Sequence, residues 1–305
     1  MPELPEVAAL AEALSDRTRG LTVARIDVAA VSVLKTFDPP VAAAADAAVL
    51  GFSRYGKHLV LDLADVAGEP LHLVLHLARA GWVRWRDEAP AAPPTIGGRS
   101  GGRGTGSSLA LRISFRTRDG QRAGAIDVTE AGTQKRLAAH IVRDPRDVEG
   151  IAALGPDPLD AQFDAAAFHD VLARAGRAQI KGVLRDQSRI AGIGNAYSDE
   201  ILHAARMSPF ASAATLSPDT EARLYRAIRS TLAAAVAAAR ATDPALLKAE
   251  KRAGMAVHGR TGQPCGVCGD VIREVSFADS SLQYCPTCQT GGRPLADRRM
   301  SRLLK

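Results

Sequence analysis

The sequence predicts an α+β chain of several domains: a β-sandwich with flanking helices first, an all-helical domain next, and a zinc ribbon last. Three observations carry this. Short, β-rich, partly alternating segments fill the first half. Amphipathic helical periodicity takes over beyond residue 160. All four cysteines fall in two Cys-x-x-Cys pairs near the carboxyl end. At 305 residues the chain is long enough for two domains that each bury a core.

The chain opens Met1-Pro-Glu-Leu-Pro-Glu-Val7. Pro5 suits a first helical turn, and Val7, Leu10 and Leu14 share one face, so a helix anchors the terminus. Trimming of Met1 leaves Pro2 with a free secondary amine. An α-amino group titrates near about 8, so an appreciable fraction is neutral at pH 7. Glu3 follows directly, and an amine beside a carboxylate is the pairing that attacks an electrophilic carbon and moves protons around it.

Strands are expected over Leu21–Val28, Ala48–Arg54, His58–Leu63, Leu71–Leu77, Trp82–Trp85, Leu109–Phe115 and Ala123–Val128. Arg54-Tyr-Gly-Lys57-His58 makes a cationic turn between two of them. From Asp87 to Ser108 the composition shifts to Pro, Ala, Gly and Ser. It reads most simply as a mobile loop, with contact between its Arg99 and Arg103 and nucleic acid as the lesser alternative. Leu154-Gly-Pro-Asp-Pro-Leu159 reads as a linker.

Helices follow over Ala161–Ala175, Gln179–Gln187 and Ala196–Arg206, then a long one behind Ser217-Pro218. There Leu224, Ile228, Leu232 and Val236 recur every four residues under a serine cap. Gly192 and Gly194 permit a tight turn, and Asn195 sits where a helix cap is expected. The amides at that helix start, with the Asn195 side chain, form a phosphate seat, and Lys181, Arg185 and Arg189 nearby tilt it toward nucleic acid.

Cys265-Gly-Val-Cys268 and Cys285-Pro-Thr-Cys288 each place two thiolates on one ion, completing a closed tetrahedral site for a single structural Zn2+. Val271–Val275 and Leu282–Tyr284 supply the hairpin of the ribbon. Net charge is +6, which points to an anionic partner. Glu6 and Glu12 exclude a signal peptide over the first helix, and no apolar run reaches membrane-spanning length.

These segments together resemble the formamidopyrimidine-DNA glycosylase and endonuclease VIII family. The matching elements are Pro2-Glu-Leu-Pro-Glu-Val7, Gly56-Lys57, His76-Leu77 with Gly81, Leu154-Gly-Pro, the Asp186-Gln187 to Glu200 helix–two-turns–helix, and the ribbon ending Cys288-Gln289. The resemblance implies a catalytic β-sandwich over 1–150, a linker over 151–160, a helix–two-turns–helix domain over 161–255, a ribbon over 256–290 and a basic tail over 291–305. It further implies a bifunctional glycosylase and abasic-site lyase of base excision repair. Pro2 attacks C1′ of an oxidised nucleotide, Glu3 moves protons, and Lys57 and Asn195 grip phosphates. Gly194, Lys181, His76 and Arg79 are the remaining expected DNA contacts.

The implied partner is double-stranded DNA containing oxidised or abasic sites, met by a cytoplasmic, nucleoid-associated monomer with no membrane partner. Pro-Glu-Leu-Pro-Glu-Val resembles the formamidopyrimidine branch, which favours oxidised purines. The alternatives are endonuclease VIII-like action on oxidised pyrimidines, a non-catalytic binder of damaged duplex, and a zinc-ribbon adaptor for RNA or protein that makes no use of the first seven residues.

The chain departs from the family pattern at three places. Ser280, beside Asp279, stands where the zinc hairpin usually carries an arginine, leaving Arg273 or the tail residues Arg293, Arg298 and Arg299 as substitutes. Ala78-Arg79 replaces the usual Gly-Met, making Arg79 the candidate wedge into the base stack. No Arg-Phe loop is recognisable over Thr129–Leu137.

Overall fold

The structure, a computed structural model, describes residues 1–94, 108–277 and 280–295. It divides into two compact units, Met1–Ala153 with Asp243–Ala245, and Leu154–Thr242 with Leu246–Lys305. The core of the expected loop over 87–108, with Arg99 and Arg103, lies outside the described residues, as do Asp279, Arg298 and Arg299.

In the first unit α1 (Leu4–Thr18) precedes β1 (Thr22–Val28), β2 (Ala48–Tyr55), β3 (His58–Ala64), β4 (Pro70–His76), β5 (Gly81–Arg86), β6 (Ser108–Arg116), β7 (Arg122–Glu130), β8 (Ala138–Val142) and the short α2 (Glu149–Ala152). The ladder runs β5-β7-β6-β1-β2-β3-β4-β8, antiparallel throughout. Between β1 and β2 it holds one pair, Thr22↔Ala48. The strands therefore fall into two halves, β5-β7-β6-β1 and β2-β3-β4-β8, which is the predicted sandwich.

Side chains alternate in period two, so Leu59, Leu61 and Leu63 of β3 stand opposite Leu75, Leu73 and Leu71 of β4, all fully buried. The other face of the same strands carries His58, Val60 and Asp62 opposite His76, Val74 and His72. Strand β8 extends this face. It pairs His140 with Val74 and Ala138 with His76, which brings a third histidine alongside. Sequence reading missed β8 because five residues interrupted by His140 give too little alternation.

Helix α1 starts in a reciprocal capping box: the Glu3 side chain accepts from the backbone of Glu6, and the Glu3 N–H donates to Glu6 Oε2 at 2.8 Å. Its other end is pinned to β2 by Ser15, whose Oγ accepts from the Phe52 N–H at 2.7 Å and donates to the Phe52 carbonyl at 3.2 Å. The Gly51 Cα faces the helix, since a Cβ there would meet Ser15 Oγ at 3.3 Å. Gly51 pairs with Asp62 and Tyr55 with His58, so α1 lies on the histidine-bearing face.

Ser15 sits at Phe52 and the Gly20 N–H donates to the Val49 carbonyl, so the helix runs antiparallel to β2. From Ser15 back to Leu4 is a rise of about 16 Å. From Phe52 forward to Lys57 the strand covers about the same. The start of α1 and the β2–β3 turn therefore share one end of the sandwich.

The second unit contains α3 (Ala165–Ala175), α4 (Ile180–Arg185), α5 (Asn195–Ala204), α6 (Pro218–Arg240), α7 (Leu247–Gly254), the hairpin β9 (Arg273–Ser276) with β10 (Ser281–Tyr284), and α8 (Pro286–Thr290). Phe168, Val183, Ile193, Ile201, Leu224 and Ile228 are among its core residues. Ser217 caps α6 as expected, accepting from the Thr220 N–H.

Helix α3 begins later than its alanine run suggests. Asp164 accepts from the Ala167 N–H at 2.8 Å and sets the start. Helix α7 was not predicted, because Leu247 is its one buried side chain and leaves no apolar stripe. The Leu154-Gly-Pro stretch is fixed and not a loose tether. The Gly155 N–H donates to the Gln187 carbonyl at 2.9 Å, and a Cβ on Gly155 would lie 2.6 Å from Arg189 backbone. Among the described residues no helix is long and apolar enough to cross a membrane.

Ser15→Ala leaves the Phe52 N–H without its acceptor and is expected to lower stability by about 1–3 kcal/mol. Urea denaturation of the purified variant measures this.

Candidate active site and nucleic-acid interface

Pro2 is buried and Glu3 is 3% exposed, ahead of the first turn of α1. A chain terminus normally frays. Here the capping box and the fully buried Leu4 and Val7 hold it in the protein. Lys57, 8% exposed, follows Gly56 in the two-residue loop that joins Tyr55 to His58. Gly56 has φ +54°, the left-handed conformation that such a hairpin requires at its first loop position.

Around Lys57 the histidines form a cluster that sequence reading recognised only at His76. The His58 and His76 rings lie with centroids 4.9 Å apart. Burial, helped by His76, His140 and Lys57, lowers His58 to about 4, against a contact with the Tyr55 carbonyl that raises it. Burial, Lys57 and His140 lower His76, and burial with Lys35 lowers His140. His58 and His76 are thus neutral at pH 7, and a phosphate meeting His76 would find a hydrogen-bond donor there, not a cation. The alternating β3, β4 and β8 registers bring these three histidines together, a signal available only once β8 is recognised.

After β4 the chain makes a tight turn in which the Gly81 N–H donates to the Leu77 carbonyl at 2.8 Å. A Cβ at Gly81 would come within 2.2 Å of that oxygen, so glycine is required. Ala78 adopts φ +48°, so the backbone keeps a left-handed conformation despite its methyl group. Arg79, next in the turn, is exposed.

In the second unit the segment before α5 is stapled by Gln187. Its amide accepts from the Gly192 N–H at 3.0 Å and donates to the Ile193 carbonyl at 2.8 Å. Gly194, not Asn195, occupies the cap position. Asn195 is the first helical residue, and its Nδ2 donates to the Ser281 carbonyl at 2.8 Å, tying α5 to the ribbon hairpin. One N–H of that amide is thereby committed, and only the other is left for a phosphate.

Lys181 has a different task from the expected DNA contact. It is 6% exposed, and its Nζ lies 2.5 Å from Asp199 Oδ1 and 2.8 Å from Ser198 Oγ. Asp199 also meets His258 Nδ1 at 2.7 Å. Its neighbour Glu200 accepts from the N–H groups of Ala256, Val257 and His258 at 2.7, 2.9 and 2.8 Å. Lys181 neutralises a carboxylate that docks the ribbon on α5. Residues 199 and 200 escaped sequence reading because partners so distant in the chain leave no local pattern.

The four cysteine Sγ atoms lie within 4.8 Å of one another. Cys265 and Cys288 are 3.9 Å apart and Cys268 and Cys285 3.3 Å, close to the spacing of about 3.8 Å that tetrahedral Zn–S bonds impose. Burial raises the Cys265 thiol, but the Val267 and Cys268 N–H groups and the His203 ring outweigh it and bring it to about 6. His203 on α5 reaches that sulfur at 3.3 Å. The residues fit a closed structural zinc site. Of the substitutes considered for the missing hairpin arginine, Arg273 pairs with Tyr284 at the base of the hairpin, away from the turn after Phe277.

Three family models match in the order in which these parts occur. Residues 1–134 match the formamidopyrimidine-DNA glycosylase N-terminal domain, residues 154–244 its H2TH domain, and residues 262–291 the zinc finger found in FPG and IleRS. The formamidopyrimidine-DNA glycosylase of Pelotomaculum thermopropionicum is 32% identical over 300 residues, covering 95% of this chain and 99% of its own. A formamidopyrimidine-DNA glycosylase-like protein of Mycobacterium tuberculosis, itself uncharacterized, is 59% identical over 153 residues, half of this chain and 95% of its own.

The solved MutM (Fpg) protein of Thermus thermophilus, 28% identical, superposes with a TM-score of 0.73 over 96% of this chain and all of its own. The chain belongs to the formamidopyrimidine-DNA glycosylase family, a family of DNA-binding, zinc-finger repair glycosylases.

Two outcomes are expected. Lys181→Ala removes the lysine partner of the buried Asp199 carboxylate, leaving it to His258 and the Gln283 N–H, and costs about 3–5 kcal/mol, seen as a lowered denaturation midpoint. The His58 ring titrates near 4 when folded and 6.5 when unfolded, so below pH 6.5 the unfolded chain takes up the proton first. Stability therefore falls as pH is lowered from 6.5 toward 4, and His58→Gln flattens that limb of the curve.

Proposed function

We propose that the chain is a bifunctional DNA glycosylase and abasic-site lyase that acts on oxidised bases through the Pro2 nitrogen once Met1 has been removed. The observation that supports this best is the burial of Pro2 and Glu3 at the capped start of α1, on the same end of the sandwich as Lys57. A terminus without chemistry to perform has no need of that restraint.

The neutral secondary amine forms a bond to C1′ as the C1′–N glycosidic bond breaks, and the base leaves with the bonding pair and a proton. The amine then closes an iminium with C1′ as the sugar ring oxygen is released and protonated. A secondary amine carries no second proton to lose, so the iminium keeps its charge and acts as an electron sink. The C2′ proton is then removed, and the electrons it leaves expel the 3′ phosphate in β-elimination. A second elimination releases the 5′ phosphate. Glu3 serves these proton transfers. Lys57 supplies positive charge to a phosphate, with His76 as a neutral donor beside it. Asn195 contributes the remaining N–H of its side-chain amide to a phosphate.

The target base leaves the stack, at a cost of a few kcal/mol that damage reduces. Solved complexes of the Lactococcus lactis Fpg hold an N7-benzyl-Fapy-dG DNA and an oxidised-pyrimidine DNA, and at 24% identity they establish the shared fold alone. Oxidised purines are the proposed preference here, in a cytoplasmic, nucleoid-associated monomer.

Incubation with duplexes carrying an oxidised purine, an oxidised pyrimidine or an abasic site, under borohydride, tests the reading. A reduced covalent complex is expected, formed most with the purine lesion. No complex on any of the three, with a terminus shown by mass to begin at Pro2, would make the chain a binder and not an enzyme. Glu3→Gln keeps an oxygen acceptor for the helix cap but loses the carboxylate, and base release is expected to slow by roughly 10²–10⁴-fold with the fold intact.

A further inference from the structure

Each knuckle of the ribbon has a buried cysteine and a more open one. Cys265 and Cys285 are 3% and 0% exposed, whereas Cys268 is exposed and Cys288 half-buried. The buried pair is the pair that the end of α5 reaches. Gln289 Oε1 accepts from the Cys285 N–H at 2.9 Å, and its Nε2 donates to the Met207 carbonyl at 2.9 Å, just past the helix. His203, in the last turn of α5 and 7% exposed, holds Nε2 3.3 Å from Cys265 Sγ.

The ribbon has bonds of its own to set its shape. Asp270 joins the two knuckles: its carbonyl accepts from the Cys265 N–H at 2.8 Å and its Oδ2 from the Thr287 N–H at 3.1 Å. The Val267 and Cys268 N–H groups, which belong to the knuckle itself, reach the Cys265 sulfur. His203 adds a further donor to that sulfur from a separate element of the fold.

A metal-bound thiolate carries no proton and can only accept, so the proton of this contact lies on His203 Nε2. Four thiolates on one dication leave an excess of negative charge, half of it on cysteines taken out of water, and N–H donors disperse it. The four sulfurs already complete a tetrahedral set, so the ring stands outside it.

We infer that His203 is a positioning residue of the metal site, an outer-sphere donor whose Nε2–H holds the Cys265 thiolate and makes the end of α5 part of what retains the ion. The ligand is a divalent, thiolate-preferring metal ion, Zn2+ foremost. The helix that presents Asn195 in its first turn is thereby fastened to the metal site by its last. The inference rests on the zinc-ribbon reading and makes no use of the chemistry at Pro2.

Two variants of the full chain test it. His203→Phe keeps a ring of similar size without a donor, and His203→Gln keeps an N–H donor without the ring. Zinc affinity is measured by competition with a chelator, and the sulfur-to-metal charge-transfer band is recorded after replacing zinc by Co2+. His203→Phe is expected to lower zinc affinity by about 10–100-fold, while His203→Gln stays within about threefold of the unmodified chain. The cobalt band of His203→Phe should move to longer wavelength, because a sulfur that loses a hydrogen bond gives up its electrons more readily, and its intensity should remain that of four sulfurs.

Unchanged affinity and an unmoved band in His203→Phe overturn the assignment. Affinity kept by His203→Phe and lost by His203→Gln overturns it too, since the ring would then act by packing. A three-sulfur intensity in the unmodified chain would make His203 a ligand in its own right. A full chain that takes up no metal sinks the ribbon reading and this inference together, and leaves borohydride trapping at Pro2 to be judged separately.

Discussion

The reciprocal hydrogen bonds between Glu3 and Glu6 keep the start of α1, and Pro2 with it, inside the protein. A helix start exposes N–H groups that solvent satisfies as readily as side chains do. Here two carboxylates are taken out of water to satisfy them, with the Glu3 N–H on Glu6 Oε2 at 2.8 Å. Glu3 thereby serves as a cap, and in the proposed mechanism it is also the carboxylate that follows Pro2 in the chain. Under the proposed mechanism the structural and the chemical demands on this residue coincide, and Ser15 pins the other end of the helix to β2.

The second unit solves a comparable problem with a different device. A ribbon of this size has too little apolar surface to fold without a staple, and the four sulfurs provide one. Its position on α5 comes from charge: Glu200 collects three successive N–H groups, Asp199 bridges Lys181 and His258, and Asn195 takes the Ser281 carbonyl. Helix α5 is thereby both the proposed phosphate seat at one end and the dock for the ribbon along its length. His203 extends that dock to the sulfur of Cys265. Shifting the ribbon would disturb the first turn of α5, because both depend on the same side chains.

Much of this was legible in the sequence, for identifiable reasons. Period-two alternation located seven strands within a few residues, and cysteine spacing located the zinc site, because both are local rules. Strand β8 and helix α7 were missed since each lacks an apolar stripe of its own. Lys181 was misjudged because a lysine near a glycine turn reads as a surface cation, whereas the fold buries it on a carboxylate eighteen residues away. Asn195 was displaced by one position from the cap, which a glycine cap at 194 makes hard to foresee. The histidine cluster at His58, His76 and His140 is assembled by strand register across three segments, so no window of sequence contains it.

The central claim is that the reacting group is the terminal imino nitrogen and not a lysine. Proteolysis of a borohydride-reduced complex, followed by mass spectrometry of the DNA-bearing peptide, decides this directly. The account predicts the sugar remnant on the peptide that begins at Pro2. Finding it on the peptide containing Lys57, or finding Met1 still attached in adduct-forming protein, would contradict it.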